Sequence, residues 1–494
     1  MKHSIIRAMG AVALALIAMP SAASAAYVTV YGSPVLGPGV IFPGSGTVNT
    51  GGTAVGTIWK YDGPTATKGS RAVRWDASGA TVELDNLGMN SAGFTMATAR
   101  SINDAGTAVG DADKYDSGFS KGYRAVRWNP SGTGVTELGA LGTDGNGITA
   151  SVAFSINAAG DAVGWAEKYT SGGTYLGERA VRWNASGTVA TELANLGRDT
   201  DGETICSANA INSAGVVVGS ADKYNASGVY QGSRAVRWGA SGAAEELGDG
   251  RTPAGALALN DAGVVVGGAR HFDASGADKG VRAVRWNASG AATELGTLGM
   301  DAGGATEAQA VAINAAGTAV GYAAKYDGSG VGKGRRAVRW DAGGAGATEL
   351  GILGAATDGT SKSDVFAINA AGVAVGYAET YNGVGFDVGP RAVYWGPGDV
   401  PVDLNTLIDP AGGWTLREAH AVSDTNWITG IASFDPDGPG GQAPYDRLFL
   451  IQVPEPGGLA LLSLSGVMLL RRRRRGAKHW SRAAVANAIG GNER

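Results

Sequence analysis

Between residues 27 and 453 apolar and polar side chains alternate in short runs, and no helical period appears. One stretch illustrates the pattern. Residues 95–102 (TMATARSI) predict a strand, Asn103-Asp-Ala-Gly106 a turn, and residues 107–115 (TAVGDADKY) a second strand. Asn and Asp side chains bond their own backbone and Gly accepts positive φ, so the turn follows from its residues. Residues 123–128 then predict a third strand, Asn129-Pro-Ser-Gly132 another turn, and residues 134–138 (GVTEL) a fourth strand.

This unit recurs. Arg-Ala-Val-Arg-Trp opens at Arg71, Arg124, Arg179, Arg234, Arg282 and Arg336, and Arg-Ala-Val-Tyr-Trp opens at Arg391. The closing tryptophans Trp75, Trp128, Trp183, Trp238, Trp286, Trp340 and Trp395 are 53, 55, 55, 48, 54 and 55 residues apart. A second marker, Asn with Gly three residues on and Val-Gly ending seven residues on, starts at Asn49, Asn103, Asn157, Asn212, Asn260, Asn314 and Asn369. A degenerate eighth copy has Ser423 at the Asn position and Gly430 at the second Gly. A fixed period means one supersecondary unit stacked on itself, because a single unit cannot bury its apolar face.

Four antiparallel strands in each of eight units predict an all-β fold, a β-propeller with eight blades over residues 26–453. A seven-bladed ring with the degenerate unit outside it is the alternative, and an open solenoid the third arrangement. The last unit supplies only three strands, near 417–422, 427–433 and 447–452, while residues 27–31 (YVTVY) form an unclaimed strand before the first unit. That strand is expected to complete the last blade and leave no long sheet edge open.

The pentapeptide alternates too, so Arg71, Val73 and Trp75 share one face of their strand and Ala72 and Arg74 the other. Val and Trp are expected to pack between blades. The second arginine is expected to pair with a glutamate nine or ten residues on: Arg74 with Glu83, Arg127 with Glu137, Arg182 with Glu192, Arg237 with Glu246, Arg285 with Glu294 and Arg339 with Glu349. In the seventh unit both positions change, to Tyr394 and Asp403.

Composition fits this picture: 82 glycines against 9 phenylalanines suit short strands and tight turns. The single cysteine, Cys206, allows no internal disulfide and reads as a small buried residue. Residues 1–25 carry Lys2 and Arg7, a short apolar core and Ala23-Ser24-Ala25, which reads as a secretory signal peptide. Without the two ends, the body keeps 30 basic and 42 acidic residues, a net charge of about −12, which argues against nucleic-acid and anionic-lipid partners.

At the other end Val453, Pro454, Glu455 and Pro456 precede an apolar stretch and then Arg471, Arg472, Arg473, Arg474 and Arg475. Residues 454–475 resemble the PEP-CTERM sorting signal of exported bacterial proteins. The resemblance implies a short transmembrane stretch that anchors the chain at least transiently, with the arginines on the cytoplasmic side. It also implies an exosortase-type processing enzyme as partner and a destination at the cell surface or outside the cell. The apolar stretch is shorter than a full crossing needs, and the tail at 476–494 is longer than such signals usually carry; that tail is expected to be disordered. The repeat unit itself, Ile-Asn-x-Ala-Gly-x-x-Val-Gly followed by Arg-Ala-Val-Arg-Trp and Thr-Glu-Leu-Gly-x-Leu-Gly, resembles the HAF-type extracellular repeat. That resemblance implies exported, propeller-like repeats and leaves the ligand open.

Catalysis needs departures from a repeat, since a repeat places the same residue on every blade. No Gly-x-Ser-x-Gly elbow, His-Glu-x-x-His helix, phosphate loop or Ser-x-Asp-x-Gly-x-Thr-Trp box occurs. His271 and His420 have no Cys or His at metal-ligand spacing, so no metal site and no cofactor is expected. Acidic turns at Asp199 and Asp201, at Asp144, and at Asp435 and Asp437 offer oxygens for weak calcium binding, although a full site needs about six or more. Lys-Tyr pairs recur at the end of the second strand, at Lys60, Lys114, Lys168, Lys223 and Lys325. Their tyrosines Tyr61, Tyr115, Tyr169, Tyr224 and Tyr326 are candidates for an aromatic rim facing carbohydrate. The sequence therefore reads as a non-catalytic binding or structural protein of an extracellular polysaccharide or cell-envelope matrix. The alternative is a polysaccharide-degrading enzyme using irregular-loop carboxylates such as Asp199, Asp201, Asp358 and Asp435.

Overall fold

The computed structural model describes residues 28–32, 46–62, 66–248, 253–438, 440–441 and 443–454. The expected signal peptide, Glu455, Pro456, the five arginines and the tail lie outside the described residues. Among those described, no helix is long and apolar enough to cross a membrane.

Eight four-stranded antiparallel sheets form a ring. The second unit is typical, with strands Ala97–Ile102, Ala108–Asp116, Phe119–Trp128 and Val135–Glu137 in spatial order. The degenerate eighth unit is a complete blade, so the ring has eight members, not seven. Its own strands are Trp414–Val422, Trp427–Phe434 and Tyr445–Gln452, and its outermost strand is Tyr31–Gly32 from the N-terminal side. The closing strand is shorter and later than the 27–31 expected: Tyr31 lies opposite Leu450 and Gly32 opposite Phe449. Val28 N–H donates to the Leu407 carbonyl at 2.8 Å, which fastens the approach to the strand.

The apolar interior is divided among eight seams. Val73 and Trp75 of blade 1 pack on Ile431, Leu448 and Leu450 of blade 8, while Ala72 of blade 1 packs on Val126 and Trp128 of blade 2. The seven repeat tryptophans are each at most 1% exposed. Burying one removes roughly 150–250 Å² from water, a gross gain of about 4–6 kcal/mol at about 25 cal/mol per Å². Apolar burial therefore dominates each seam, as the alternation of the pentapeptide predicts.

The arginine pairing differs from expectation. Each glutamate stands opposite the pentapeptide valine, as Glu83 does Val73 and Glu192 does Val181, so its side chain shares the face of the first arginine. The ion pairs are Arg71–Glu83 at 3.0 Å, Arg124–Glu137 at 3.3 Å, Arg179–Glu192 at 3.2 Å, Arg234–Glu246 at 2.8 Å, Arg282–Glu294 at 3.5 Å and Arg336–Glu349 at 3.2 Å. The second arginine, on the opposite face, reaches the following blade and donates to main-chain carbonyls there. Arg74 donates to Gly106, Arg127 to Gly160 and Asn184, and Arg339 to Gly372. In the seventh unit Asp403 instead caps the short 3-10 turn Leu404–Thr406.

The asparagine marker locks the ring. Asn103 Nδ2 donates to the Asn157 carbonyl at 3.1 Å, Asn157 to Asn212 at 3.1 Å, Asn212 to Asn260 at 3.2 Å, Asn260 to Asn314 at 3.1 Å and Asn314 to Asn369 at 3.2 Å. Asn369 continues to Ser423 at 3.0 Å, and Thr425 Oγ1 donates to the Thr50 carbonyl at 2.6 Å, joining blade 8 to blade 1.

Candidate functional site

The first strand of each blade is innermost and touches its equivalents in neighbouring blades. In blades 2 to 8 this strand carries a β-bulge at an equivalent position, where the extra residue is Arg100, Phe154, Asn209, Leu257, Val311, Phe366 or His420. A bulge re-aims the side chain it carries. These residues reach around the ring toward one another: the Arg100 guanidinium lies 5.4 Å from the Phe154 ring centroid, and Phe366 meets His420 edge-on at 5.1 Å. Asn209 Nδ2 donates to the Ala256 carbonyl of the next inner strand at 2.9 Å.

In blades 2 to 8 the glycine that ends the second marker is explained by the same bulge. A Cβ on Gly110 would collide with the Thr98 carbonyl, and one on Gly376 with that of Asp364. The glycine admits the main chain that the bulge pushes inward. Sequence reasoning missed this ring of seven bulge residues. The signal was present, because the third and fifth residues before each marker position are the places in this strand where side-chain type changes most from blade to blade.

Beside this ring, between blades 6 and 7, lies a connected polar and aromatic cluster. Asp364, on the blade 7 inner strand, is 2% exposed and accepts from Tyr377 OH at 2.8 Å and from Arg335 of blade 6. Burial raises the Asp364 carboxyl above the usual range while Arg335 opposes the shift, and burial followed by the Asp364 charge pushes the Tyr377 hydroxyl up. The Arg335 guanidinium sits 4.4 Å from the Tyr322 ring centroid, and Lys362 Nζ lies 5.5 Å from that of Tyr377. Phe366 is 37% exposed and its centroid is 6.0 Å from that of Tyr377. In blade 8, His420 Nε2 is 3.0 Å from Glu418, whose pKa is held below the usual range chiefly by that contact.

Blades 2 and 3 carry a different set. Tyr123 meets Trp165 edge-on at 6.0 Å, and Glu167 stands directly opposite Glu178 across one hairpin. Burial, and then the Glu167 charge, raises Glu178 above the usual carboxylate range. Asp111 is raised by burial despite its 2.6 Å bond from Arg100. The arrangement offers aromatic faces with hydrogen-bonding groups at their edges, acidic on one side of the axis and mixed on the other.

The tyrosines expected to form a rim are half-buried at the hairpins joining second and third strands, at the opposite end of the second strand from the asparagine turns. Tyr169 packs against Tyr175 and Tyr224 against Tyr230, each at 5.6 Å. Burial, then its 2.9 Å bond to Glu167, pushes the Tyr169 hydroxyl up to about 12. Tyr61, Tyr115 and Tyr326 occupy the same place in their blades. The lysines beside them complete the ion pairs of the repeat: Lys60–Glu83 at 2.9 Å, Lys114–Glu137 at 2.7 Å, Lys223–Glu246 at 2.5 Å, Lys325–Glu349 at 2.5 Å and Lys168 with Glu192. His271 takes the lysine position in blade 5 and lies 3.0 Å from Glu294.

Among the described residues no three His, Cys, Asp or Glu side chains converge on a common point. Asp144 and Asp199 accept main-chain N–H groups within their own turns, Asp358 accepts from Thr360 and Asp435 from Gly438. Cys206 is 1% exposed, and burial pushes its thiol up to about 11. Val453 is buried and donates to the Asn426 carbonyl at 3.1 Å, so the body ends on a packed residue, and Pro454 beyond it is exposed.

No protein-family model matches this chain, and no curated protein does. Solved structures to which the chain bears a distant likeness include the following. The β-propeller domain of the trilobed protease from Pyrococcus furiosus is 9% identical, with a TM-score of 0.42, over 85% of this chain and 95% of its own. The polysaccharide lyase Uly1 is 10% identical, with a TM-score of 0.38, over 86% and 92%. A PL25 ulvan lyase is 12% identical, with a TM-score of 0.35, over 86% and 95%. Likeness at this level says nothing about activity.

Proposed function

We propose that this chain is an exported propeller that binds an extracellular or envelope polysaccharide without cleaving it. On this reading it is a HAF-type repeat protein, delivered by residues 1–25 and held at the surface through the PEP-CTERM-like segment at 454–475, with an exosortase-type enzyme as its processing partner. One observation carries the binding reading. The repeated glutamates and lysines are consumed in bracing each blade and the arginines and asparagines in joining it to the next, whereas the variable positions gather around the axis and supply aromatic faces edged by hydrogen-bonding groups. Sugar rings present apolar faces and peripheral hydroxyls, which such a surface matches.

The test is a binding screen of the full-length chain against a polysaccharide array, with every bound glycan also assayed for cleavage products. Binding with intact glycan supports the reading. Shortened or unsaturated products overturn it in favour of an enzyme, for which unlike residues around an axis are also suited. Absence of binding to every glycan rejects it.

A further inference from the structure

We infer that the surface over the seam between blades 6 and 7 is a subsite for the anionic substituent, carboxylate or sulfate, of an acidic sugar; this rests on the polysaccharide-binding reading above. The body of the chain carries about −12, yet here Arg335 and Lys362 lie close together with Asp364 sequestered between them, Glu307 standing at the far edge of Tyr322 and Glu418 on the Lys362 side. The Asp364 side chain is 4% exposed and that of Arg335 is 42% exposed, so the acid is inside and the guanidinium faces outward. Asp364 holds one end of Arg335, and the Tyr322 ring lies under its plane at 4.4 Å. A guanidinium fixed in this way keeps edge donors aimed at a planar or tetrahedral oxyanion.

Lys362 adds a second charge. Its ammonium is exposed, lies 5.5 Å from the Tyr377 centroid and makes no ion pair among the described residues, although Asp364 and Glu418 both attract it. Phe366, exposed at the bulge, gives a sugar ring a face to lie on beside these charges. That apolar face favours an anion carried on a sugar over a free one. Across the ring, Glu167 stands opposite Glu178 and the pair repels anions, while Asp111 is held by Arg100, so an acidic chain is expected to place its charged groups over blades 6 and 7.

The experiment is calorimetric titration of the full-length chain with oligomers of glucuronate, galacturonate and mannuronate, their methyl esters, sulfated dextran oligomers and plain dextran oligomers. The free acids or the sulfated oligomers are expected to bind about tenfold more tightly than their uncharged counterparts, the effect of one charge-assisted contact. Lys362→Met, an exposed change that leaves the fold intact, is expected to remove most of that preference while sparing uncharged glycans. Arg335→Gln, with its melting curve checked, serves as the second variant. Equal affinity for acid and ester with no gain from sulfate, or a preference that survives both variants, overturns the subsite. Uncharged glycan binding would then leave the wider reading standing, whereas failure of every glycan sinks both. Preference for sulfate over carboxylate, or the reverse, supports the subsite and identifies the substituent.

Discussion

Replacing Asn314 by alanine tests the ring lock most directly. The residue is 6% exposed, its Nδ2 donates to the Asn369 carbonyl at 3.2 Å, and its Oδ1 accepts from Thr318 N–H at 2.9 Å. Alanine removes both bonds. The Asn369 carbonyl keeps a second donor, Gly372 N–H at 3.0 Å, while the Thr318 N–H loses its turn acceptor. Two bonds at about 1 kcal/mol each, with part of the cost of one orphaned donor, give a loss of about 2–4 kcal/mol. Asn314→Asp keeps the acceptor but sets a carboxylate oxygen against the Asn369 carbonyl, so it is expected to fall below alanine at neutral pH. The assay is urea unfolding followed by tryptophan fluorescence and far-UV circular dichroism, read at unchanged m-value. Asn103→Ala, in a distant seam, should behave alike, and the double variant should lose the sum within about 0.5 kcal/mol. A loss under about 0.5 kcal/mol for Asn314→Ala, or an aspartate variant as stable as wild type, refutes the lock.

Other consequences are equally measurable. Glu192→Gln leaves Arg179, 0% exposed, without its counter-charge and should cost about 2–4 kcal/mol in urea unfolding, against about 1 kcal/mol or less for Lys168→Met, whose partner is retained by Arg179. Glu178 has a folded-state pKa raised by burial and by Glu167, so the native state binds its proton more tightly and stability falls as pH rises through that window. Glu178→Gln should therefore raise stability by about 0.5 kcal/mol at pH 7, a gain that fades below about pH 4, as thermal melts at the two pH values would report. Gly32→Val should weaken the closure, since a Cβ there would lie 2.6 Å from Arg447 Nη2 and 2.7 Å from the Trp414 ring and would displace the arginine from it; limited proteolysis should then cut blade 8 faster than in wild type.

The fold was legible because its markers sit where geometry leaves little choice. Asn103 and Gly106 define a turn, Trp128 fills a seam, and their spacing counts blades. The unclaimed N-terminal strand announced the closure, although the two paired residues, Tyr31 and Gly32, are fewer than the pattern suggested. The arginine assignment failed at the step from offset to register. A separation of nine or ten residues does not reveal which residues face across a hairpin, and the loop places Glu83 opposite Val73, not Arg74. The candidate site was hidden for a related reason: a bulge breaks the two-residue alternation, so Phe366 and His420 looked like ordinary strand positions.

Polar contacts across each seam fall largely on main chain. Asn157 grips a carbonyl of the next blade, and so do Arg127 and Arg339; the degenerate eighth unit can still be gripped with serine at its marker position, because Ser423 offers the same carbonyl. This lock is therefore indifferent to most of what either blade carries on its inner strand, although inner-strand side chains such as Asp364 and Phe366 also meet the neighbouring blade. As far as this lock is concerned, blades are interchangeable parts, and the residues around the axis can change without disturbing it. A lineage built this way can explore new ligands at its centre without renegotiating how the ring assembles.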